Sequence, residues 1–475
     1  MSGKDVKVRD NLQGWLVLVA MAVIPVAALG QERGGREVYE EQLRVALDKQ
    51  LPEAREVSVD AGGWFNFALM IFDDAAADRD RALRQFQLRV WGSANVRGVH
   101  RAYVRGLLSY DDWESGDNPT FAHGDDYDED VERAWYQFDL GQMLRNQTGE
   151  EPAVGFKFKV GREFMTIGTA LALSMPLDMI QLTATTVDWE IMALLGNSRV
   201  HSNNIDDSEA VADQQDRLMW GGQVTYRGLD RHRPFVYFLG NRDHTDPEPP
   251  STTQSYGYDS RYVGLGSEGT VLSPDLRYQV EVVGEWGRTY SDGVVWGRDR
   301  ISAMAIDALL EYSFRHHMQP KVKFEYIFGS GDRDRGTSAT ATIGGNLAGT
   351  KDHAFNAFGF RDTGIAFSPR ISNIHIYNLN ASFFPLEKVE LFRKMEMGSQ
   401  VFFYQKARRS GAISDTTAAN AARWVGWEWD VYCNWRLTSD LAWTMRYGAF
   451  QPGSAFDGGD KSWRQFLYTG IVFSF

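Results

Sequence analysis

The chain has 475 residues, 13% of them aromatic (28 Phe, 19 Tyr and 15 Trp), and a formal net charge of −13. That length exceeds one ordinary globular core, so it implies either several domains or a large β-barrel, which grows by adding strands rather than by thickening a core. The single cysteine excludes an intramolecular disulfide framework and a cysteine-based zinc site.

The first thirty residues read as a secretory signal peptide. MSGKDVKVRD carries Lys4, Lys7 and Arg9, residues 15–29 (WLVLVAMAVIPVAAL) are apolar, and small residues follow at Ala28 and Gly30. A signal anchor is the alternative, against which Pro25 and the shortness of the run both argue. No later stretch approaches the ~20 apolar residues of a membrane-crossing helix. The protein is therefore expected to be exported and to be periplasmic, secreted or an outer-membrane barrel. Residues 31–60 form a polar periplasmic segment, in which Val38, Leu43, Ala46, Leu47 and Leu51 suit a short amphipathic helix.

From residue 61 to 475 the texture becomes alternation of period two, the mark of β-strands with two different faces. Strands are expected at 62–73, 83–95, 99–111, 131–139, 154–162, 178–185, 188–201, 217–228 and 233–243. They continue at 258–270, 275–288, 301–315, 320–330, 371–384, 397–408, 423–436, 439–450 and 463–475. Short links alternate with long, acidic ones such as 112–131 (DWESGDNPTFAHGDDYDEDV) and 202–216 (SNNIDDSEAVADQQD). Such alternation puts every short link at one end, as in an outer-membrane antiparallel barrel with short periplasmic turns and long extracellular loops. Two links at the short end, 140–153 and 385–396, are longer than this rule predicts. The last strand stops on RQFLYTGIVFSF, where Leu467, Thr469, Ile471, Phe473 and Phe475 share one face. It is expected to pair with the first strand and close the barrel.

Several strands assign their own faces. In AVGFKFKV, Phe156 and Phe158 oppose Lys157 and Lys159; in RQFQLRVW, Phe86, Leu88 and Val90 oppose Gln85, Gln87 and Arg89. Arg101, Tyr103 and Arg105 share a side, and lone Cys433 alternates with tryptophans on what should be the lipid face. A Lys or Arg on the lipid face near the midplane costs about 2–4 kcal/mol, so the charged faces must look inward. The early strands then direct Arg89, Arg101, Arg105, Arg133, Lys157 and Lys159 into the lumen. Later strands mix in Glu281, Glu285, Asp307, Glu311, Glu325, Glu428 and Asp430. A cationic wall for an anionic solute and a self-neutralising network of lumen salt bridges both fit this pattern.

The order of several segments resembles the alginate export family of outer-membrane β-barrels. They are LRVWGSANVRGVHRAYVRGLL, RAWYQFDL followed by FKFKVGRE, PLDMIQLTATTVDWEIMALLG, FEYIFGSGDRD, FRDTGIAFSPRISNIHIYNLNASF and MRYGAFQPGSAF. The resemblance implies a monomeric barrel of about eighteen strands in a Gram-negative outer membrane, in contact with lipid and lipopolysaccharide. It implies passive export of an anionic polysaccharide such as alginate through a pore lined by arginines and lysines and narrowed by loops and turns. A periplasmic scaffold of a secretion complex is an expected partner, nucleic acid is not, and no cofactor is expected. Carried over by motif, Arg89, Arg133, Arg162, Arg370 and Arg446 fall at pore-lining positions, and with Arg101, Arg105, Lys157 and Lys159 they make up the candidate substrate-binding set. Arg162 shares the parity of Phe156 and Phe158, so a bulge at Gly161 is expected to turn it inward.

Catalytic signatures such as HExxH, a Walker loop or a nucleophile elbow are missing from the sequence. His316–His317 beside Pro320 reads as a solvated turn, and GSGDRDRG lacks the acidic spacing of an EF-hand loop. Three functions stay open on residues alone: an exporter of an anionic polysaccharide, a porin taking up small anionic solutes, and a non-conducting barrel serving as an enzyme or assembly platform.

Overall fold

The computed structural model describes residues 57–475 apart from 75–78, 115, 118–124, 199–215, 245–256, 291–297, 336–345, 348 and 459–460. The signal peptide and the amphipathic helix expected within 31–60 lie outside the described residues, except that residues 57–60 already belong to the first strand. The described residues form eighteen antiparallel strands in one sheet that closes on itself. In chain order the first nine are β1 (Val57–Asp74), β2 (Arg79–Val96), β3 (His100–Trp113), β4 (Asp126–Asp139), β5 (Gly155–Ile167), β6 (Leu173–Thr185), β7 (Trp189–Ser198), β8 (Arg217–Tyr226) and β9 (His232–Asp243). The rest are β10 (Tyr258–Thr270), β11 (Leu276–Tyr290), β12 (Arg298–Ser313), β13 (Lys321–Gly329), β14 (Ile374–Phe383), β15 (Met395–Lys406), β16 (Trp424–Arg436), β17 (Leu441–Pro452) and β18 (Arg464–Ser474). Each expected strand has its counterpart. The largest displacements are of five residues: β1 and β4 start that much earlier than expected, and the β5–β6 hairpin continues that far beyond the expected ends on each side.

Closure follows from the lack of water in a bilayer, which leaves an unpaired strand edge with unsatisfied N–H and C=O groups. The register of β1 on β18 runs from Trp64 opposite Ser474 to Phe72 opposite Phe466. Beyond it, Gly63 and Phe475 exchange both backbone hydrogen bonds at 3.0 Å. Alternation then sorts side chains by solvent. On β1, Asn66, Ala68 and Met70 are buried inside while Phe65 and Ile71 stand out on the exposed face. Val90, Val104, Leu108, Phe156, Leu182, Leu379 and Trp429 continue that apolar outer belt around the barrel. No helix among the described residues is long and apolar enough to cross a membrane.

Both described chain ends, Val57 and Phe475, lie at the short-turn end. The three-residue β2–β3 link there places Arg97 (φ 54°) and Gly98 (φ 71°) in succession at positive φ, closed by the Val99 N–H on the Val96 carbonyl at 3.0 Å. In the β16–β17 turn, Thr438 donates to Asp440 at 2.8 Å and holds that carboxyl below its ordinary range. The two over-long links contain compact structure. One forms α1 (Leu140–Thr148), capped by the Asp139 carboxylate on the N–H of Gln142 and ended by Gly149 in the left-handed region. The other carries a 3-10 turn at Glu390–Phe392, where Phe392 stacks on Trp435 (4.7 Å) and Leu391 accepts the Trp435 indole N–H.

The seam is the testable weak point. A side chain at Gly63 would lie 2.6 Å from both the Arg89 carbonyl and the Phe475 ring. Gly63→Val and deletion of Phe475 should each lower severalfold the fraction of protein that migrates as a folded, heat-modifiable band in gels, whereas Gly284→Ala, which meets open space, should not. Unchanged assembly of both seam variants would remove Gly63 and Phe475 from the closing contact.

Candidate substrate passage

The inner face of β2–β5 gathers most of the expected bases. Arg89 faces Trp64 across the β1–β2 pair, Trp91 faces Arg105 across β2–β3, and Arg105 faces Arg133 across β3–β4. Just past Arg133 the β3–β4 register slips, because Gly106 pairs with Val131 and leaves Glu132 as an extra residue. This β-bulge turns both Glu132 and Arg133 inward, and both are buried. Glu132 then accepts a hydrogen bond from Arg89 (2.8 Å) and forms an ion pair with Arg105 (2.8 Å). On β5, Glu163 accepts from Arg133 (3.2 Å) and from Lys159 (3.1 Å). Two cations thus share one carboxylate twice over, which sets each of these inward bases beside an opposite charge. Nearer the turn end the wall opens to water: Lys157 is half exposed and sits 3.6 Å from Asp139, and Arg101 is only partly buried.

The opposite side of the lumen works through acids. Residues 352–373, on the way from β13 to β14, do not stay outside; they run across the lumen. Glu285 accepts the Asn356 N–H at 3.0 Å and the Tyr258 hydroxyl at 2.7 Å. Glu428 accepts the successive N–H groups of Ile365 (2.6 Å), Ala366 (2.7 Å) and Phe367 (2.9 Å), together with the Tyr404 hydroxyl at 3.1 Å. Arg361 donates to Asp307 and to the Thr169 hydroxyl. Thr169 belongs to the tip of the β5–β6 hairpin, which also bends into the barrel and gives its N–H to Glu281 at 2.5 Å. Tip and crossing segment are stitched together by backbone bonds from Ser174 to Phe358, Phe358 to Ala172 and Phe360 to Ala170.

Around these two insertions the lumen holds three apolar clusters. One joins Ile167, Leu171 and Leu173 of the tip to Phe355, Phe358 and the inner faces of β9–β12. Ile365 seats the crossing segment against Ala68, Met70, Leu83 and Tyr468 on the far side. A third cluster packs Phe367 under Phe450 and Phe456, with the Phe367 and Phe450 rings stacked at 4.2 Å. The inserted chain therefore occupies the loop end of the lumen, packed on β9–β18 and reaching β1 and β2 through Ile365.

The remaining candidates are dispersed. Arg446 points inward on β17 and lies over the Tyr432 ring at 5.4 Å, away from the β2–β5 group. Arg370 sits on the stretch returning to β14, where its N–H meets the Ser414 hydroxyl at 3.0 Å, rather than on the wall. Arg162 corrects the expectation of a bulge at Gly161. The β5–β6 register is unbroken from Gly155 to Ile167, so Arg162 keeps the outward parity and pairs across the strands with Asp178 at 2.8 Å. Gly161 does have a positive φ of 124°, but its purpose is close approach: a Cβ there would lie 2.2 Å from the Ala134 carbonyl. The bulge is one strand earlier, at Glu132.

Sequence reasoning missed Glu132 and Glu163 as partners of the bases, and it left the crossing segment outside as a loop. A signal for the latter existed. FNAFGFRDTGIAF (355–367) is apolar and aromatic, unlike the acidic loops, and an apolar run of that kind needs a core to enter.

A family model for alginate export matches residues 200–468. No curated protein matches the sequence. Solved structures with the same architecture include three Pseudomonas aeruginosa barrels. OccK1 (OpdK) has a TM-score of 0.53 at 9% identity, over 88% of this chain and 98% of that one. A second structure, of the outer membrane protein opdK, gives 0.51 at 11% identity over 88% and 99%, and OccK5 (OpdH) gives 0.51 at 8% identity over 88% and 98%.

The carboxylate anchors can be tested directly. Truncating Glu428 removes the acceptor of three consecutive N–H groups, each bond to a charged group contributing about 1.5–3 kcal/mol. Glu428→Ala should release the crossing segment, and trypsin should cut the folded barrel after Arg361 at least tenfold faster, with a rise in single-channel conductance. Cleavage at the wild-type rate would mean that Glu428 does not hold this segment.

Proposed function

The chain belongs to the alginate export family and is an outer-membrane channel, and from that premise we propose that its cargo is an anionic polysaccharide, alginate or a similar polyuronate, leaving passively through the lumen. The observation that carries this reading is the one-sided set of inward bases on consecutive strands, β2 to β5. Glu132 and Glu163 each pair with two of them, and Lys157 remains half exposed to the lumen. A polyanion entering at the turn end meets a surface that attracts it at several places and binds it strongly at none. Conduction through a pore needs that combination of many weak sites. The apolar outer belt lies in membrane lipid, and the loop end borders lipopolysaccharide.

Planar-bilayer recordings supply the test. The reconstituted protein should be anion-selective, and its conductance should fall when polyuronate is added on the turn-end side. Arg101→Glu combined with Lys157→Glu should reverse the selectivity and raise the blocking concentration of polyuronate about tenfold or more, with the effect shrinking as salt shortens the Debye length from about 10 Å at 0.1 M to about 3 Å at 1 M. Cation selectivity indifferent to polyuronate would overturn the proposal. Block by free uronic acid but not by its polymer would make the channel a porin for small anions.

A further inference from the structure

The wall that carries the bases also carries a row of aromatic rings, one from each of three successive strands. Trp91 on β2, Tyr103 on β3 and Trp135 on β4 all have the inward parity of Arg89, Arg105 and Arg133, and all three are partly exposed. Their planes are nearly parallel. Trp91 and Tyr103 have centroids 6.1 Å apart with an interplanar angle of 18°, and Tyr103 and Trp135 are 5.8 Å apart at 21°. Glycine makes room at one end of the row: Gly62 faces Trp91 across the β1–β2 pair, and a Cβ there would lie 3.0 Å from the indole. At the other end the Lys159 ammonium lies 4.3 Å from the Trp135 centroid. Trp64 carries two cations, the guanidinium groups of Arg89 and Arg105 over its ring at 5.8 and 5.5 Å, where Trp135 carries one; its role is to hold the arginines.

We propose that Trp91, Tyr103 and Trp135 form a stacking track on which successive sugar rings of the exported chain rest while flanking bases meet its carboxylates. The inference rests on the polysaccharide reading above and deepens it. A pyranose ring has apolar C–H faces, and an aromatic face attracts such a surface whatever charge the sugar bears. A channel for small anions needs the bases but has no use for parallel rings at regular spacing. The register also places the bases correctly: Arg105 and Arg133 lie one step toward the loop end of the row, and Arg101 and Lys159 one step toward the turn end. The track lies on the turn side of Met70 and Leu83, which pack against the crossing segment. A chain arriving from the turn end reaches it before that segment.

The test compares two blockers of equal length, an oligouronate and a neutral glucan oligomer, on the full-length barrel in planar bilayers, with heat-modifiable migration confirming assembly. Wild type should be blocked by both, more strongly by the oligouronate. Trp91→Ala with Tyr103→Ala should raise the half-blocking concentration about tenfold for both oligomers and leave the anion-to-cation permeability ratio unchanged. The ring-preserving pair Trp91→Phe with Tyr103→Phe should keep most of the block. Tyr103→Leu, which keeps volume without a ring, should weaken it severalfold and serves if the double variant does not assemble. Arg101→Gln with Lys157→Gln should lose the preference for the oligouronate while keeping the neutral block. If the aromatic variants are blocked at wild-type concentrations, or the neutral oligomer never blocks while the oligouronate does, the track is wrong and the exporter stands. If neither oligomer blocks wild type, both fall.

Discussion

Everything in this molecule depends on the requirement that no backbone polar group face hydrocarbon unpaired. The reciprocal hydrogen bonds between Gly63 and Phe475 meet it where the sheet would otherwise have two edges. Once the sheet is closed, each strand has one face in lipid and one in the lumen, and the period of two decides which residues go where. Charge can then only go inward, or to the rims. The interior electrostatics are thus a consequence of closure, and the family's function is built from what closure leaves over.

Eighteen strands enclose more space than side chains can fill. Here part of it is filled by main chain, from the tip of the β5–β6 hairpin and from the segment between β13 and β14. Main chain brought into a lumen needs partners for its N–H groups, and only acceptors can supply them. Glu281, Glu285 and Glu428 do so. Their burial would be costly for isolated carboxylates, but each is surrounded by several donors. These acids are therefore read best as seats for inserted backbone. Broken singly, such buried contacts destabilise strongly, because the partner is left behind without compensation.

Most of the fold was legible because its dominant signal is local. Alternating Phe and Lys in GFKFKV or Trp and Glu in GWEWD needs no knowledge of distant residues to be assigned a strand and a face. Alternation was also right about Arg162, whose outward parity the structure keeps; the expectation of an inward turn came from the resemblance, which supplied a bulge at the wrong glycine. The true bulge, at Glu132, was hidden for a physical reason. One added residue in a strand changes the facing of its neighbours without changing composition, and VER reads equally well with Glu132 inside or out. Ion pairs such as Arg133–Glu163 and the crossing segment's seats span large sequence separations and depend on which strands happen to be neighbours. Those relations exist only after the barrel has closed.

The division of the lumen into an acidic and a basic side follows from the same donor and acceptor chemistry. A guanidinium or ammonium cannot satisfy an N–H group, so an inserted segment that presents runs of N–H groups, as residues 365–367 do, must settle against carboxylates. On this chain those carboxylates stand on β11, β12 and β16, and the inserted chain packs there. Among the described residues this filling does not pack on the inner face of β2–β5 toward the turn end, where Lys157 is half exposed and Trp91, Tyr103 and Trp135 are partly so. The residues that hold the lumen's filling in place thus decide, by exclusion, which wall is left for the cargo. The several acids and apolar clusters that seat this filling act together, so the wall that the lumen presents is set by the whole group of anchors and by no single one of them.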